Sequence, residues 1–226
     1  MAIEIGFLVF PRVQQLDLTG PYEVLAMVPG SRVHLVAKSL SPLPSATGLV
    51  LTPTVDFAAC PALDVICVPG GAGVNPLMED AEALDFLRRQ AARARYVTSV
   101  CTGALVLGAA GLLWGKRATT HWAAHDLLAA FGAIPTDGRV VRDGNLLTGG
   151  GVTAGIDFGL TLAAELTDAA TAQAIQLHLE YAPAPPFEAG RPEAAGPEIL
   201  ATARQRLAAT RSEREAIVAR VTRERN

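Results

Sequence analysis

The chain has 226 residues, of which 50% are hydrophobic and 18% are charged, so it can bury one sizeable core and fits a single domain with appendages. Its formal net charge of -3 gives no basic field to attract nucleic acid phosphates. No apolar run reaches the roughly 18 residues of a membrane helix, so neither nucleic acid nor membrane partners are expected.

The three cysteines, Cys60, Cys67 and Cys101, have no metal-ligand spacing and leave at least one thiol unpaired. This pattern favours a reducing, cytoplasmic setting and predicts no metal site. The amino-terminal "MAIEIGFLVFPRV" has no basic residues before its apolar run, so we expect a first strand there rather than a signal peptide.

Apolar, β-branched runs predict strands that alternate with segments of helical period. The strands are predicted at residues 3–10, 32–37, 63–71, 95–100 and 145–151. The helices are predicted at residues 21–28, 80–94, 103–114, about 121–131 and 152–166. Because the strands are apolar on both sides, the pattern predicts an α/β fold: a doubly wound, mostly parallel sheet with helices on both faces. Residues 48–57 and 138–148 are expected to be hairpin-like or edge pieces, the second turning at Asp143-Gly144.

The last part of the chain differs in composition from the rest. Residues 181–197 contain five prolines and predict an extended strap, and a last helix is expected over about 197–224. Seven arginines and four glutamates follow Gly196, which is typical of a solvated helix face. We therefore divide the chain into an α/β domain, residues 1–180, and an appendage, residues 181–226. The appendage belongs to the same domain or docks on a second subunit.

Three segments are expected to bring polar or glycine residues to one edge of the sheet. Asp17 follows the first strand, Gly70-Gly71 follow the strand "DVICVP", and Cys101 follows "YVTSV". Because ligands of open parallel sheets bind outside the carboxyl ends of the strands, these residues form the predicted site.

Cys101 lies in the motif S-x-C-x-G, at a sharp turn from strand to helix. Such a turn exposes a nucleophile, and the small Gly103 allows the turn to close. The amino end of the following helix is expected to lower the pKa of the thiol, and nearby amides are expected to stabilise negative charge on a substrate. The alternative is a small buried hydrophobic residue, which is how we interpret Cys60 and Cys67.

The segment "VPGGAG", followed by "SVCTGALVLGAAGLLWGKRATTHW", resembles the ThiJ/PfpI superfamily, whose fold is flavodoxin-like and class I glutamine amidotransferase-like. The resemblance runs from residue 3 to about 180. It implies that Cys101 is the nucleophile, that Gly71 and Thr102 offer amides, and that an acidic residue after the first strand hydrogen-bonds the thiol.

Two positions narrow the resemblance. Many members of the superfamily have a histidine after the cysteine and a glutamate after the first strand, whereas this chain has Thr102 and Asp17. With "QLDLTGPYEVL" and "HLEYAPAPPFEAGRPE", this combination is similar to the isonitrile hydratases of the superfamily. The resemblance implies a homodimer that hydrates isonitriles to N-substituted formamides without a cofactor. On this hypothesis Cys101 attacks the isonitrile carbon, Asp17 relays protons, Thr102 fixes the geometry, and water resolves a thioimidate.

Other functions stay open at this point. "HLE" at 178–180 suggests a Cys-His-Glu triad through His178, as in glutamine amidotransferases, although His178 lies in a helix-like run. His121 and His125 are interpreted as structural residues at the start of a helix. A cysteine hydrolase, a glyoxalase-like enzyme, or a redox sensor or chaperone with an oxidisable Cys101 are the alternatives.

Overall fold

A mostly parallel β-sheet forms the centre of the protein, and helices surround it in the computed structural model, which describes residues 2–223. The strands are Ile3–Leu8 (β1), Ser31–Ala37 (β2), Leu43–Pro44 (β3), Val50–Leu51 (β4), Val55–Asp56 (β5), Val65–Val68 (β6), Tyr96–Val100 (β7), Arg117–Ala118 (β8), Ile134–Pro135 (β9), Val140–Asp143 (β10) and Leu146–Gly149 (β11). The helices are Gln15–Ala26 (α1), Val74–Leu77 (α2), Ala81–Ala91 (α3), Gly103–Ala109 (α4), Ala154–Leu166 (α5), Ala169–His178 (α6) and Pro197–Arg223 (α7), with a 3-10 helix over Trp122–Phe131.

The strand order of the central sheet is β10-β11-β7-β6-β1-β2-β5. Strand β10 runs antiparallel to β11, and the other neighbouring pairs are parallel. Helix α1 packs against α5, and α3 packs against α4. The predicted α/β class with a mostly parallel sheet is therefore confirmed.

The edge pieces also lie where they were expected. Strands β10 and β11 form the predicted hairpin, with Gly144 in the turn at a φ of 62°. In the segment 48–57, β4 pairs antiparallel with β3, and β5 joins β2 at the edge of the sheet.

The prediction that the first helix begins at Pro21 was wrong. Helix α1 begins at Gln15, and Pro21 lies inside it. A proline inside a helix removes one hydrogen bond and costs about 3 kcal/mol. Pro21 is buried against Gly155 of α5, so contact between the two helices offsets this cost. Because α1 begins at Gln15, Asp17 lies in the first turn of a helix rather than in a loop.

Two other helices differ from the pattern in length or type. Helix α4 ends at Ala109 rather than at residue 114, because Gly111 adopts a left-handed φ of 85°. The segment 121–131 is helical as expected, but it is a 3-10 helix. Helix α3 lies within the predicted segment 80–94 but ends at Ala91. The side chain of Asp80 caps it by accepting a hydrogen bond from the amide of Ala83.

The proline-rich strap has no regular structure, and α7 follows it up to Arg223, so the predicted end at residue 224 lies outside the described residues. Helix α7 packs against the 3-10 helix, α2 and α4 of the same chain. Arg211 pairs with Asp126, and Arg220 pairs with Glu79. The division of the chain near residue 180 stays a prediction. In the part of the chain that is described, no helix has the length and hydropathy to cross a bilayer.

The sheet order explains why the predicted site residues converge. Strands β1, β6 and β7 are neighbours, and their parallel register places their carboxyl ends at one edge. The chain continues from these ends to Asp17, to Gly70-Gly71 and to Cys101, respectively. The topology thus delivers all three segments to one place.

Candidate active site

Cys101 occupies the sharp turn between β7 and α4. Its φ of 55° lies in the left-handed region, a conformation that costs a non-glycine residue about 1–3 kcal/mol and clusters at functional sites. The surrounding backbone holds this conformation. The amide of Cys101 donates to the carbonyls of Gly149 (3.1 Å) and Gly150 (2.8 Å), and its own carbonyl accepts from the Thr120 hydroxyl at 2.7 Å.

Gly103 permits the close approach of α4 to β6. A Cβ at this position would lie 1.9 Å from the carbonyl oxygen of Val68, which is backbone and cannot move aside. The turn therefore requires glycine where the S-x-C-x-G motif predicts it.

Asp17 lies completely buried beside the cysteine. Its Oδ2 accepts a hydrogen bond from the amide of Gly70 at 2.9 Å, and Oδ1 accepts no conventional hydrogen bond from the residues that the structure describes. The Cys101 thiol is in contact with this carboxyl group. Burial raises the pKa of Asp17 from its ordinary 3.8 to about 7, although the Gly70 hydrogen bond and the contact with Cys101 both act to lower it.

The expectation of a lowered thiol pKa at Cys101 was wrong. Burial raises the pKa of the thiol well above its ordinary value of 9.0, and the negative charge of Asp17 raises it further. The amide and the hydroxyl of Thr102 interact with the sulfur and lower the pKa of the thiol, but the effect of burial is larger. At neutral pH the thiol therefore keeps its proton, while the carboxyl group of Asp17 is close to half protonated.

Thr102 connects the cysteine to the glycine loop after β6. Its hydroxyl accepts a hydrogen bond from the amide of Gly71 at 3.1 Å. The loop approaches closely, because a Cβ on Gly70 would lie 2.6 Å from the Thr102 nitrogen and 2.7 Å from Asp17 Oδ2. The amides of Gly70 and Gly71 thus already donate to side chains of the site.

The histidines lie outside this pair. His178 is exposed at the end of α6, and no hydrogen bond or ion pair within residues 2–223 joins it to Cys101. His121 caps the 3-10 helix by accepting from the amide of Ala123 through Nδ1 at 3.2 Å. Burial and the positive charge of Arg214 lower the pKa of His121 to about 4. His125 contacts the carbonyl of Thr136.

The other cysteines have surroundings typical of structural residues. Cys67 is buried in β6, and burial raises its pKa to about 12. Cys60 is partly buried beside Gln90, and burial, with some contribution from nearby carboxylates, raises its pKa to about 11. The loop and strand positions predicted for them are confirmed.

Sequence reasoning missed two residues that contribute to the site. The hydroxyl of Thr120 donates a hydrogen bond to the carbonyl of Cys101. The only indication of this residue in the sequence was its place in the segment "ATTHW". Arg214 of α7 is buried and reaches the carbonyl of Gly71 at 3.5 Å. The pattern of mixed charges predicts a solvated face for the arginines of α7, and this prediction is wrong for Arg214.

Comparison with known proteins identifies the family of this chain. Residues 4–165 match the model of the DJ-1/PfpI family, and the chain belongs to that family. It is 69% identical over 208 residues to the isonitrile hydratase of Pseudomonas putida, an alignment that covers 92% of this chain and 91% of that protein.

Solved structures show the same fold. The crystal structure of a ThiJ/PfpI family protein from Pseudomonas syringae aligns with a TM-score of 0.94 and 45% identity, over 96% of this chain and 91% of that one. Drosophila melanogaster DJ-1beta aligns with a TM-score of 0.73 and 24% identity, over 81% of this chain and 100% of that one, a likeness of fold alone.

Proposed function

We propose that this protein hydrates isonitriles to N-substituted formamides, with Cys101 as the nucleophile. The observation that carries the proposal is the 69% identity to an isonitrile hydratase over nearly the full length of both chains. The arrangement of Cys101, Asp17 and Thr102 supports it, because the reaction needs a nucleophile for carbon and a group that moves protons.

Above about pH 7, before the substrate binds, the thiol and the carboxyl group together hold one proton. The raised pKa of the thiol and the Asp17 pKa of about 7 favour a neutral Cys101 beside a carboxylate at slightly alkaline pH. That carboxylate is the base that removes the thiol proton when the substrate arrives. Its buried Oδ1, which accepts no conventional hydrogen bond from residues 2–223, is available to take the proton.

The first chemical step forms a carbon-sulfur bond. The Cys101 sulfur attacks the terminal carbon of R-N≡C, and Asp17 delivers the former thiol proton to that same carbon. The triple bond becomes a double bond, and the product is a neutral thioimidate, R-N=CH-S-Cys101. Because the proton arrives as the bond forms, little negative charge accumulates on the substrate.

The second step consumes one water molecule. Water oxygen bonds to the thioimidate carbon, Asp17 takes one water proton, and the nitrogen receives it. The carbon-sulfur bond then breaks, and the remaining hydroxyl proton passes through Asp17 to the sulfur. The atoms balance as isonitrile plus water gives formamide, with Cys101 and Asp17 regenerated.

The glycine loop has a different role from the one that the sequence suggested. The amides of Gly70 and Gly71 donate to Asp17 and to Thr102, so we assign them to holding these side chains rather than to a substrate oxyanion. Thr102 in turn steadies the sulfur through its own amide. The lyase class, the homodimer and the cytoplasmic location stay predictions.

The test is formamide production from a small alkyl or aryl isonitrile. We expect turnover by the wild type, loss of turnover in Cys101→Ala, and unchanged turnover in Cys60→Ala, which removes a thiol outside the site. Full turnover by Cys101→Ala would exclude the proposed nucleophile.

A further inference from the structure

Arg214 lies buried in the polar stretch of α7, with 7% of its surface exposed. Its Nε donates to the Oδ1 of Asn75 at 2.9 Å, and Nη2 donates to the carbonyl of Gly71 at 3.5 Å. Gly71 is the residue whose amide donates to Thr102, next to the cysteine. A side chain of the last helix therefore reaches the loop that shapes the site.

Asn75 of α2 fixes the position of this guanidinium group. The amide of its completely buried side chain donates to the carbonyl of Thr210 (3.2 Å) and to the carboxylate of Glu213 (2.7 Å). The side-chain oxygen remains available to accept from Arg214. All polar atoms of Asn75's side chain thus hold α7 in one orientation over the glycine loop.

The charge of Arg214 is not neutralised by a direct ion pair. Its hydrogen bonds go to neutral oxygens, and no carboxylate within residues 2–223 forms a salt bridge with it. Burial of a charge without a counterion is costly, so such a group needs a reason to be there.

The charged groups around Arg214 indicate that reason. Burial lowers the pKa of Arg214, and the nearby Arg211 acts in the same direction. Attraction to Cys101 and to Glu213 opposes this effect. His121, which also faces Arg214, stays neutral because its pKa is lowered. When Cys101 gives up its proton during the reaction, its thiolate is the negative charge of the site that Arg214 attracts.

We propose that Arg214 is a positioning residue for the Cys101 nucleophile. Its hydrogen bond holds the Gly71 loop against Thr102, and its charge favours the thiolate form of the cysteine. The C-terminal helix is then a part of the active site rather than only a cover for the domain. This inference rests on the proposed function, in which the thiolate is the attacking species.

The test separates charge from hydrogen bonding at position 214. Arg214→Gln keeps a hydrogen-bond donor and removes the charge, whereas Arg214→Lys keeps the charge and loses the planar fork. Arg220→Gln is the matched control. Arg220 lies exposed on the same helix as Arg214 and pairs with Glu79, which lies outside that helix. Alkylation of Cys101 by iodoacetamide, followed by mass spectrometry of its peptide across a pH series, reports thiolate reactivity without using an isonitrile. Steady-state turnover and thermal unfolding are measured on the same samples.

We expect alkylation of Arg214→Gln to fall about tenfold at a given pH, equivalent to a rise of about one unit in the thiol pKa. Its kcat falls with KM little changed, and Arg214→Lys stays within about threefold of the wild type. Arg220→Gln keeps the wild-type profile.

Several results would overturn the inference. They are a wild-type alkylation profile in Arg214→Gln, equal losses in Arg214→Gln and Arg220→Gln, or an Arg214→Lys variant as impaired as Arg214→Gln. If the wild type itself does not hydrate isonitriles, the proposed function fails, while the alkylation profiles still show whether Arg214 acts on the thiol.

Discussion

The thiol of Cys101 and the carboxyl of Asp17 are in contact, and both are almost completely removed from water. Burial raises the pKa of each group, and the charge of one opposes ionisation of the other. A pair of this kind loses its protons in two separated steps and carries a single shared proton between them. That single-proton state is the one the proposed reaction uses.

The pH dependence of turnover follows from this state. Below the Asp17 pKa of about 7 both groups are protonated and no base is present, so kcat/KM should rise as pH increases through about 7. In Asp17→Asn we expect this rise to disappear and the rate to fall by about 10²- to 10⁴-fold. Kinetics from acidic to alkaline pH, with Cys60→Ala as control, measure both effects. If kcat/KM of Asp17→Asn still rose with pH with the same midpoint as the wild type, the titrating group would be another residue.

Ionisation of the buried Asp17 carboxyl group should lower the free energy of unfolding at neutral pH. The folded protein holds the Asp17 proton up to about pH 7, whereas an unfolded chain releases it near 3.8. The unfolded state therefore binds fewer protons between these values, and stability falls as pH rises through this window. The difference of about three units corresponds to at most about 4 kcal/mol above pH 7.

Asp17→Asn should remove this cost while keeping an acceptor for the Gly70 amide. Urea unfolding is expected to show a more stable variant at about pH 8 and no gain at about pH 4. Asp137→Asn changes an exposed aspartate and should leave both values unaltered. An equal gain at both pH values would mean that ionisation of Asp17 is not the cause.

Thr102 offers a test of the link between the glycine loop and the cysteine. Thr102→Val keeps the shape of the side chain but leaves the Gly71 amide without its acceptor, which should cost about 1–3 kcal/mol of stability. We expect turnover to fall together with stability, because the loop no longer fixes the sulfur. Thr102→Ser retains the hydroxyl and should behave like the wild type in denaturant unfolding and turnover. A Thr102→Ser variant as impaired as Thr102→Val would mean that loss of the hydroxyl is not the cause.

Much of the fold and the position of Cys101 follow from local patterns. Apolar strands alternating with helices determine a parallel sheet, and a parallel sheet collects its carboxyl ends at one edge. The motif around Cys101 predicts the elbow because the turn brings α4 so close to β6 that only glycine fits at position 103.

Other features depend on tertiary contacts that no local pattern contains. The start of α1 was misplaced because the packing of Pro21 on α5 decides whether a proline is tolerated within a helix. The direction of the Cys101 pKa shift depends on burial, which outweighs the nearby amides. Arg214 could not be distinguished from its exposed neighbours, since its partner Asn75 lies 139 residues away in the chain.

The elbow glycine provides the strictest test of the geometry. Because a Cβ at position 103 would lie 1.9 Å from the Val68 carbonyl, Gly103→Ala must push α4 away from β6 or distort the turn at Cys101. We expect a loss of about 3 kcal/mol or more in the free energy of unfolding, together with a loss of turnover. Gly190→Ala is the control, since a Cβ there meets no atom within 4 Å, and its effect should stay within about 0.5 kcal/mol. Denaturant unfolding and isonitrile turnover of the two variants decide the matter: a Gly103→Ala protein as stable and active as Gly190→Ala would contradict the close approach of α4 to β6.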